Sequence, residues 1–155
     1  MDRVNLFAPS IEYDDSDPDG FRAGMDRFGK RIGARRIGGS VYEIPTGQSI
    51  CPYHYELGDE EWLIVLAGRP SVREPGGEHR LEPGDTVCFP EGPEGAHAVL
   101  NHGEETARVL MLSTRRLPSV AVYPDSDKVG VWEGFGAPLG LYRRETSVDY
   151  YDREV

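Results

Sequence analysis

Short apolar runs alternate with turn-forming residues through the middle of the chain, and no long stretch has the 3.6-residue period of a helix. The runs are rich in β-branched and aromatic residues, with Gly, Pro and Asp between them. They predict strands over residues 41–44, 51–56, 61–66, 71–73, 79–81, 86–89, 97–100 and 107–113. Seven or eight strands with turn signals every ~8–12 residues are typical of an antiparallel sandwich or barrel. The pattern therefore predicts an all-β fold.

The two ends of the chain differ from this central region. Residues 1–39 are polar and then rich in Gly and Arg, which favours an irregular N-terminal arm. After Leu117 one more strand is predicted over residues 120–123, followed by an aromatic tail that contains Trp132 and Phe135. Such a tail more often covers a sheet edge or a subunit interface than a ligand. We predict one domain, with an arm over 1–39, a barrel core over 40–116 and a C-terminal extension over 117–155 packing on the barrel or on a dimer interface.

The composition and net charge of the chain restrict the kinds of molecule that we expect it to bind. The 17 basic and 27 acidic residues give a net charge of −10, which would repel a phosphate backbone, so we expect no nucleic-acid partner. No apolar run approaches the ~20 residues of a membrane span, and the first residues lack the pattern of a signal peptide. Basic residues concentrate in the arm, where we interpret them as a solvated face offset by acidic neighbours: Arg27, Lys30, Arg31, Arg35 and Arg36.

Two cysteines are too few for a disulfide framework, and we expect reduced thiols in a cytoplasmic protein. Simple strand alternation turns Cys51 away from the side of the chain that carries His54 and Glu56. Cys88 lies in an apolar run, where a small buried thiol is the ordinary explanation.

Two histidines and two carboxylates stand where strands could carry them to one point. His54 and Glu56 are two residues apart, so a strand points both side chains to the same face. Glu61 follows a turn containing Gly58, and His97 comes from a later strand. Two neutral imidazoles with one or two carboxylates suit a divalent Mn, Fe, Ni or Zn ion. The candidate metal ligands are therefore His54, Glu56, Glu61 and His97.

The spacing of these residues resembles the two sequence motifs of the cupin family, G-x5-H-x-H-x(3,4)-E-x6-G and G-x5-P-x-G-x2-H-x3-N. The matching positions are Gly47, His54, Glu61 and Gly68 for the first motif, and Gly84, Pro90, Gly92, His97 and Asn101 for the second. One extra residue separates Gly47 from His54, and two extra residues lie between Gly92 and His97. The resemblance covers residues 40–115. In addition, the amino-acid sequences of segments 89–97 and 123–128 are similar to those of small single-domain bacterial cupins of unassigned function.

The resemblance implies a double-stranded β-helix, which is a jelly-roll barrel, with a metal ion in its mouth and frequent homodimers. Carried over by position, it gives ligand roles to His54, Glu61 and His97, whereas Glu56 stands where the family has a second histidine. Glu56 could be a fourth ligand, which would bias the site toward Mn, Fe or Zn. It could instead be an acid/base beside the metal. In a third alternative the pocket is metal-free, and Glu56 and Glu61 are hydrogen-bonded to the histidines.

Two functions follow from these alternatives. The first is a metal-dependent cupin that acts on a small polar metabolite, such as a sugar derivative or an organic acid, as an isomerase, an epimerase or a dioxygenase. The second is a non-catalytic module that binds a small ligand without metal. Two carboxylates close together without a cation would repel each other, which favours a cation or a basic ligand in the pocket.

Overall fold

The computed structural model describes residues 1–134, 136 and 138–154, so Phe135 of the predicted aromatic tail lies outside the described residues. Regular structure in these ranges consists of β-strands and short 3-10 helices, and none of those helices has the length and hydropathy to cross a membrane. The 3-10 helices are Gly29–Ile32, Pro93–Gly95, Pro124–Ser126 and Arg144–Thr146. The strands are β1 (Gly24–Asp26), β2 (Ile37–Ile44), β3 (Tyr55–Glu56), β4 (Glu61–Ala67), β5 (Ser71–Glu74), β6 (Gly77–Arg80), β7 (Thr86–Phe89), β8 (Ala98–Leu100), β9 (Ala107–Thr114), β10 (Ser119–Tyr123), β11 (Lys128–Trp132) and β12 (Gly140–Arg143). The all-β prediction is confirmed.

The strands form three antiparallel sheets. The largest has the order β1-β2-β9-β4-β7, a second has the order β12-β11-β10-β3, and the third is β6-β5-β8. Hydrophobic side chains from the five-stranded sheet, including Leu63 and Val109, pack in one buried cluster with Val72 and Val99 from the three-stranded sheet. These two sheets therefore face each other across the main core.

Alternation along β4 separates the core from the outer surface. Leu63 and Val65 are almost fully buried, whereas Trp62, the residue just before Leu63, is 43% exposed. Burying a side chain the size of Leu or Val contributes about 1.5–3 kcal/mol to stability. Glu61, at the first position of the strand, belongs to the inward-facing set by the same two-residue period. The strand thus directs a carboxylate toward the open end of the core.

The N-terminal arm is more regular than predicted. β1 pairs with β2 in antiparallel register, and a 3-10 turn over Gly29–Ile32 follows it. Phe28 joins a second buried cluster with Val41 and Leu110 on the outer face of the large sheet, where Leu6 also packs. A three-residue strand leaves little periodic signal in a Gly- and Arg-rich segment, which explains why the sequence indicated an irregular arm.

The C-terminal segment also contains more strands than predicted. The strand expected over residues 120–123 is present as β10, but β11 and β12 continue the same sheet. The sheet is joined to the central region because β10 pairs with β3 through Ala121 opposite Glu56. The C-terminal residues therefore complete a sheet that borders the candidate site.

One predicted strand is much shorter in the structure. Residues 51–56 were expected to form a continuous strand, yet only Tyr55–Glu56 is regular, and His54 makes an isolated bridge to His97. Pro52 lacks an amide hydrogen and cannot donate to a sheet ladder, so the chain is irregular before His54.

The side chain of Asn101 connects backbone segments at one end of the barrel, where the strands have ended, through hydrogen bonds. Its side-chain amide donates to the carbonyls of Ile44 and Glu105, at 2.8 Å each, and its Oδ1 accepts the amide hydrogen of Gly103 at 2.9 Å. The side chain is almost fully buried. Its polar atoms therefore provide three backbone groups with the hydrogen bonds that water would otherwise make.

We predict that Asn101→Ala lowers the free energy of unfolding by about 2–4 kcal/mol, because it leaves several of these backbone groups without partners. Urea unfolding followed by tryptophan fluorescence measures the change. The control is His102→Ala on the same turn, whose exposed ion pair with Glu78 is expected to contribute less than about 1 kcal/mol. Equal stabilities of the two variants would contradict this role of Asn101.

Candidate metal centre

The backbones of His54 and His97 pair directly and bring their imidazoles together. The amide of His54 donates to the carbonyl of His97 at 3.0 Å, and the amide of His97 donates to the carbonyl of His54 at 2.8 Å. The ring centroids lie 4.8 Å apart, and only 8% and 2% of the two residues are exposed. Two residues that are distant in sequence thus form one rigid pair.

The hydrogen bonds of the two rings fix which nitrogen carries the proton. Nδ1 of His54 lies 2.9 Å from the carbonyl oxygen of Pro52, and Nδ1 of His97 lies 2.9 Å from that of Gly95. A carbonyl oxygen only accepts, so each Nδ1 is the donor, and each Nε2 keeps a free lone pair. A backbone partner of this kind orients metal-binding histidines in proteins.

The insertion between Gly92 and His97 accounts for one of these hydrogen bonds. The extra residues form the 3-10 turn Pro93–Gly95, and the carbonyl that accepts from His97 belongs to the last residue of that turn. A Cβ atom at Gly95 would collide with the carbonyl oxygen of Pro90, so the turn requires glycine there. The departure from the family spacing is therefore accommodated, and it serves to orient the histidine.

Glu61 completes a group of three ligand atoms. Its Oε2 lies 3.5 Å from Nε2 of His97 and 3.9 Å from Nε2 of His54. The ligand atoms of these three residues all lie within 4.8 Å of one another. Ligands bound at about 2.1 Å to a single ion stand roughly 3–4 Å apart, so the two distances from Glu61 and the donor types of the group suit a divalent-metal site.

Glu56, the fourth predicted ligand, stands beside this group. Its Oε1 lies 3.8 Å from Nε2 of His54, and its Oε2 accepts a long hydrogen bond of 3.4 Å from Ser119. The structure thus brings His54, Glu61 and His97 together and places Glu56 next to them. A ligand role for Glu56 stays a prediction.

Burial changes the titration of all four groups. It raises the pKa of Glu61 to about 7, with further contributions from the charges of Glu56 and Asp59. Burial and the charge of Asp59 likewise raise the pKa of Glu56 to about 7. Desolvation lowers the pKa of His54, and desolvation together with His54 lowers the pKa of His97 to about 4. At neutral pH the imidazoles are therefore neutral, which is the form that binds metal.

The structure corrects both predictions about the cysteines. Sγ of Cys51 lies 3.6 Å from Nδ1 of His54, so the thiol borders the site instead of facing away from it. The reason is that residue 51 precedes the short strand β3, so strand alternation does not apply to it. Cys88 is exposed rather than buried, because it lies on the outer face of β7 opposite Trp62.

Several residues of the site were missed in the sequence. Phe89 stacks on His97, with ring centroids 3.7 Å apart, and Tyr123 stacks on His54 at 5.8 Å. Asp59 is buried and accepts hydrogen bonds from Thr114, Arg116 and Ser119. Inward alternation along β7 could have identified Phe89, whereas Tyr123 and Asp59 reach the site only through tertiary contacts.

A pocket of about 480 Å³ opens from the carboxylates to solvent. This volume lies in the range of small-molecule sites. Polar side chains line the part of the pocket next to the histidines: Glu56, Asp59, Glu61, Ser113, Ser119 and Tyr123. A ligand in this pocket would contact the carboxylates directly, and Glu61 links it to the histidine pair.

The fold and the grouped ligand atoms define a small β-barrel protein with a candidate metal centre. Residues 40–113 match the family model of the cupin domain. The chain therefore contains a cupin domain over these residues, and the resemblance inferred from the two motifs is confirmed there. No curated protein sequence gives a significant match.

Solved structures of similar fold cover most of the chain. A cupin-superfamily sugar phosphate isomerase from Silicibacter pomeroyi is 24% identical with a TM-score of 0.79, covering 97% of this chain and 98% of its own. A provisionally named sugar phosphate isomerase from Acidithiobacillus ferrooxidans is also 24% identical with a TM-score of 0.79, covering 93% and 91%. The polyketide cyclase RemF from Streptomyces resistomycificus is 22% identical with a TM-score of 0.62, covering 77% and 83%. At these identities the likeness shows the fold alone, and it confirms the double-stranded β-helix.

The raised pKa values predict a pH-dependent response to metal. Each carboxyl has a folded-state pKa of about 7, above its ordinary value of 4.5, so the stability of the metal-free protein falls as pH rises between these values. A bound cation offsets this loss, and at lower pH it must displace protons. We therefore predict that saturating Mn²⁺ raises Tm more at pH 8 than at pH 6.

Thermal unfolding with and without MnCl₂ at the two pH values measures this difference. Glu61→Gln removes one of the titrating candidate ligands and should nearly abolish the increase in Tm, whereas Glu105→Gln on an exposed turn should leave it unchanged. An increase that is the same at both pH values, or greater at pH 6, would contradict the prediction.

Proposed function

We propose that this chain is a metal-dependent cupin enzyme that binds one divalent ion and acts on a small polar metabolite, a sugar derivative or an organic acid. The observation that carries the proposal is the convergence of two imidazole Nε2 atoms and one carboxylate within 4.8 Å beside an open pocket. The residues proposed to hold the ion are His54, Glu61 and His97.

The donor types restrict the metal. A donor set of two neutral nitrogens and at least one carboxylate suits Mn, Fe, Ni or Zn. It leaves room for a fourth protein ligand or for a coordination position open to substrate. When bound, such an ion supplies a Lewis acid that polarises a carbonyl or hydroxyl oxygen, or a centre for oxygen activation. Nδ1 of each histidine stays hydrogen-bonded to the backbone, so the rings keep their orientation while a ligand enters.

For Glu56 we propose the role of general acid/base. The side chain lines the pocket, and its pKa of about 7 suits proton transfer at neutral pH in either direction. Isomerisation and epimerisation both move a proton at a carbon atom, so this feature favours them over oxygen chemistry. The names of the two sugar phosphate isomerases among the structural neighbours support the same class.

The metal-free binding module is less well supported by the geometry. It requires hydrogen bonds from Glu56 and Glu61 to the two histidines, but the distances between these carboxylate oxygens and the Nε2 atoms are 3.5–3.9 Å. Such distances are at or beyond the limit of a hydrogen bond. Two half-buried carboxylates that gain no imidazole hydrogen bond favour a cation between them and the rings.

We also propose a homodimer, as the family relationship suggested. The support is a group of exposed apolar and aromatic side chains near the C-terminal end, which a second copy could cover: Leu139, Leu141, Val148, Tyr150 and Tyr151.

The first test of the proposed function is the metal content of untagged protein purified without chelator. About one equivalent of Mn, Fe, Ni or Zn is expected, since the three ligand atoms surround a single position. His97→Ala should lose the metal and remain folded, because the apolar core does not depend on the ring. His79→Ala, an exposed histidine paired with Glu74, is the matched control and should keep the metal. Absence of metal from the wild-type protein, even after each ion is added back, would refute the proposal.

A second test separates the two roles of Glu56. We predict that Glu56→Gln retains metal and loses catalytic rate by at least about 100-fold, as expected for removal of a general acid/base. Loss of metal from this variant would instead make Glu56 a ligand. Substrates for the assay come from a screen of aldose–ketose and epimer pairs with metal-loaded wild-type protein, and Glu105→Gln is the control for a remote carboxylate.

A further inference from the structure

Basic side chains from two separate segments meet at the outer part of the same pocket. Arg27 and Lys30 come from the N-terminal arm, whereas Arg115 and Arg116 follow strand β9. The chain as a whole has a net charge of −10, so four cations around one opening run against its average charge. Three carboxylates line the same pocket, and Arg116 lies 3.7 Å from the carboxylate of Glu91, so the feature to explain is the grouping of cations from distant segments and not a large excess of charge.

The N-terminal arm is held at the pocket because its 3-10 turn packs directly on strand β2. A Cβ atom at Gly29 would lie 3.0 Å from the amide nitrogen of Gly39, and one at Gly39 would lie 2.7 Å from the ring of Phe28. Glycine at both positions lets the 3-10 turn rest on strand β2. Lys30 within that turn and Arg27 just before it are thereby placed beside the opening.

The cations of the arm differ in their partners. Arg31 makes a bidentate ion pair with the buried carboxylate of Asp26. By contrast, among the described residues no carboxylate lies within salt-bridge distance of Arg27 or Lys30. The interpretation of the whole basic cluster as a solvated face is therefore incomplete, because Arg27 and Lys30 line a pocket and make no ion pair with any carboxylate of the described residues.

The pocket is thus polarised. Its inner part contains the carboxylates of Glu56 and Glu61, and its outer part carries the basic side chains. A molecule with one anionic end would be attracted by the outer part and repelled by free carboxylates at the inner part. This arrangement orients a ligand with its anionic group outward and its uncharged polar end toward the histidines.

We propose that the outer part of this pocket binds the phosphate group of a phosphorylated small metabolite, with its hydroxyl- or carbonyl-bearing end toward His54, Glu61 and His97. A phosphate monoester carries close to two negative charges at neutral pH and offers three acceptor oxygens, which suits several cationic donors that approach from two sides. Guanidinium groups match phosphate geometry in particular. The inference rests on the proposed function for the inner part of the pocket, but its test does not require metal.

The test compares two ligands that differ only in the phosphate group. Isothermal titration calorimetry of the wild-type protein with glucose 6-phosphate and with glucose, in metal-loaded and in chelator-treated samples, measures the preference. We expect glucose 6-phosphate to bind at least about tenfold more tightly, and the preference to shrink as NaCl rises from 50 to 500 mM. Gluconate, which has a carboxylate instead of a phosphate, should bind more weakly than glucose 6-phosphate.

Substitutions test which side chains cause the preference for glucose 6-phosphate over glucose. Arg27→Gln combined with Lys30→Gln should reduce it by at least about fivefold, since both charges at the arm are removed. Arg27→Lys combined with Lys30→Arg keeps the charges and should retain most of it. Arg80→Gln removes an exposed charge on β6, away from the pocket, and should change nothing. Thermal unfolding of each variant confirms the fold.

Three results would overturn the proposal. The first two are that glucose or gluconate binds as tightly as glucose 6-phosphate. The third is that Arg80→Gln reduces the preference for glucose 6-phosphate as much as the double substitution of Arg27 and Lys30 does. Failure of the proposed function looks different. A protein that holds no metal but prefers glucose 6-phosphate in chelator-treated samples would refute the metal centre and leave the phosphate site standing.

Discussion

The reciprocal backbone hydrogen bonds between His54 and His97 are the contact on which the candidate site depends. They join the end of the irregular segment after Pro52 to the start of β8, and they place two buried imidazoles side by side. Each ring is then oriented by a carbonyl two residues before it in the chain. Glu61 at the start of β4 needs only to face inward to complete the group. A barrel in which these two segments did not pair would leave the three candidate ligands apart.

Electrostatics then sets what the site can accept. Burial raises the pKa of both carboxylates to about 7 and lowers that of His97, so the site favours neutral groups unless a cation is present. The same barrel opening carries basic side chains from the arm and from the segment after β9. A cation at the inner part and an anionic group at the outer part together would offset both sets of charges. The proposed chemistry follows from this polarity.

Much of this arrangement could be predicted from local patterns. The candidate ligands His54, Glu61 and His97 could be proposed from the sequence because short spacings and turn glycines carry positional information along a strand, and the structure groups their side chains. Glu56 was placed beside them for the same reason, although its role is still a prediction. Cys51 was assigned to the wrong side because the chain before β3 is not a regular strand. The pocket residues Asp59 and Tyr123 are brought to the site by tertiary contacts that no local pattern records.

The sequence by itself determined the all-β class, the strand-forming core, and the residue types that could bind a metal, since these depend on two-residue periodicity and on turn chemistry. Only the tertiary structure decided which nitrogen of each histidine faces the carboxylates, because a backbone carbonyl two residues earlier in the chain binds the other nitrogen. It also decided that the arm's Arg27 and Lys30 stand beside carboxylates of the central barrel. The reason is physical: periodicity fixes which face a side chain takes, whereas the packing of Gly29 against Gly39 fixes which segments share an opening.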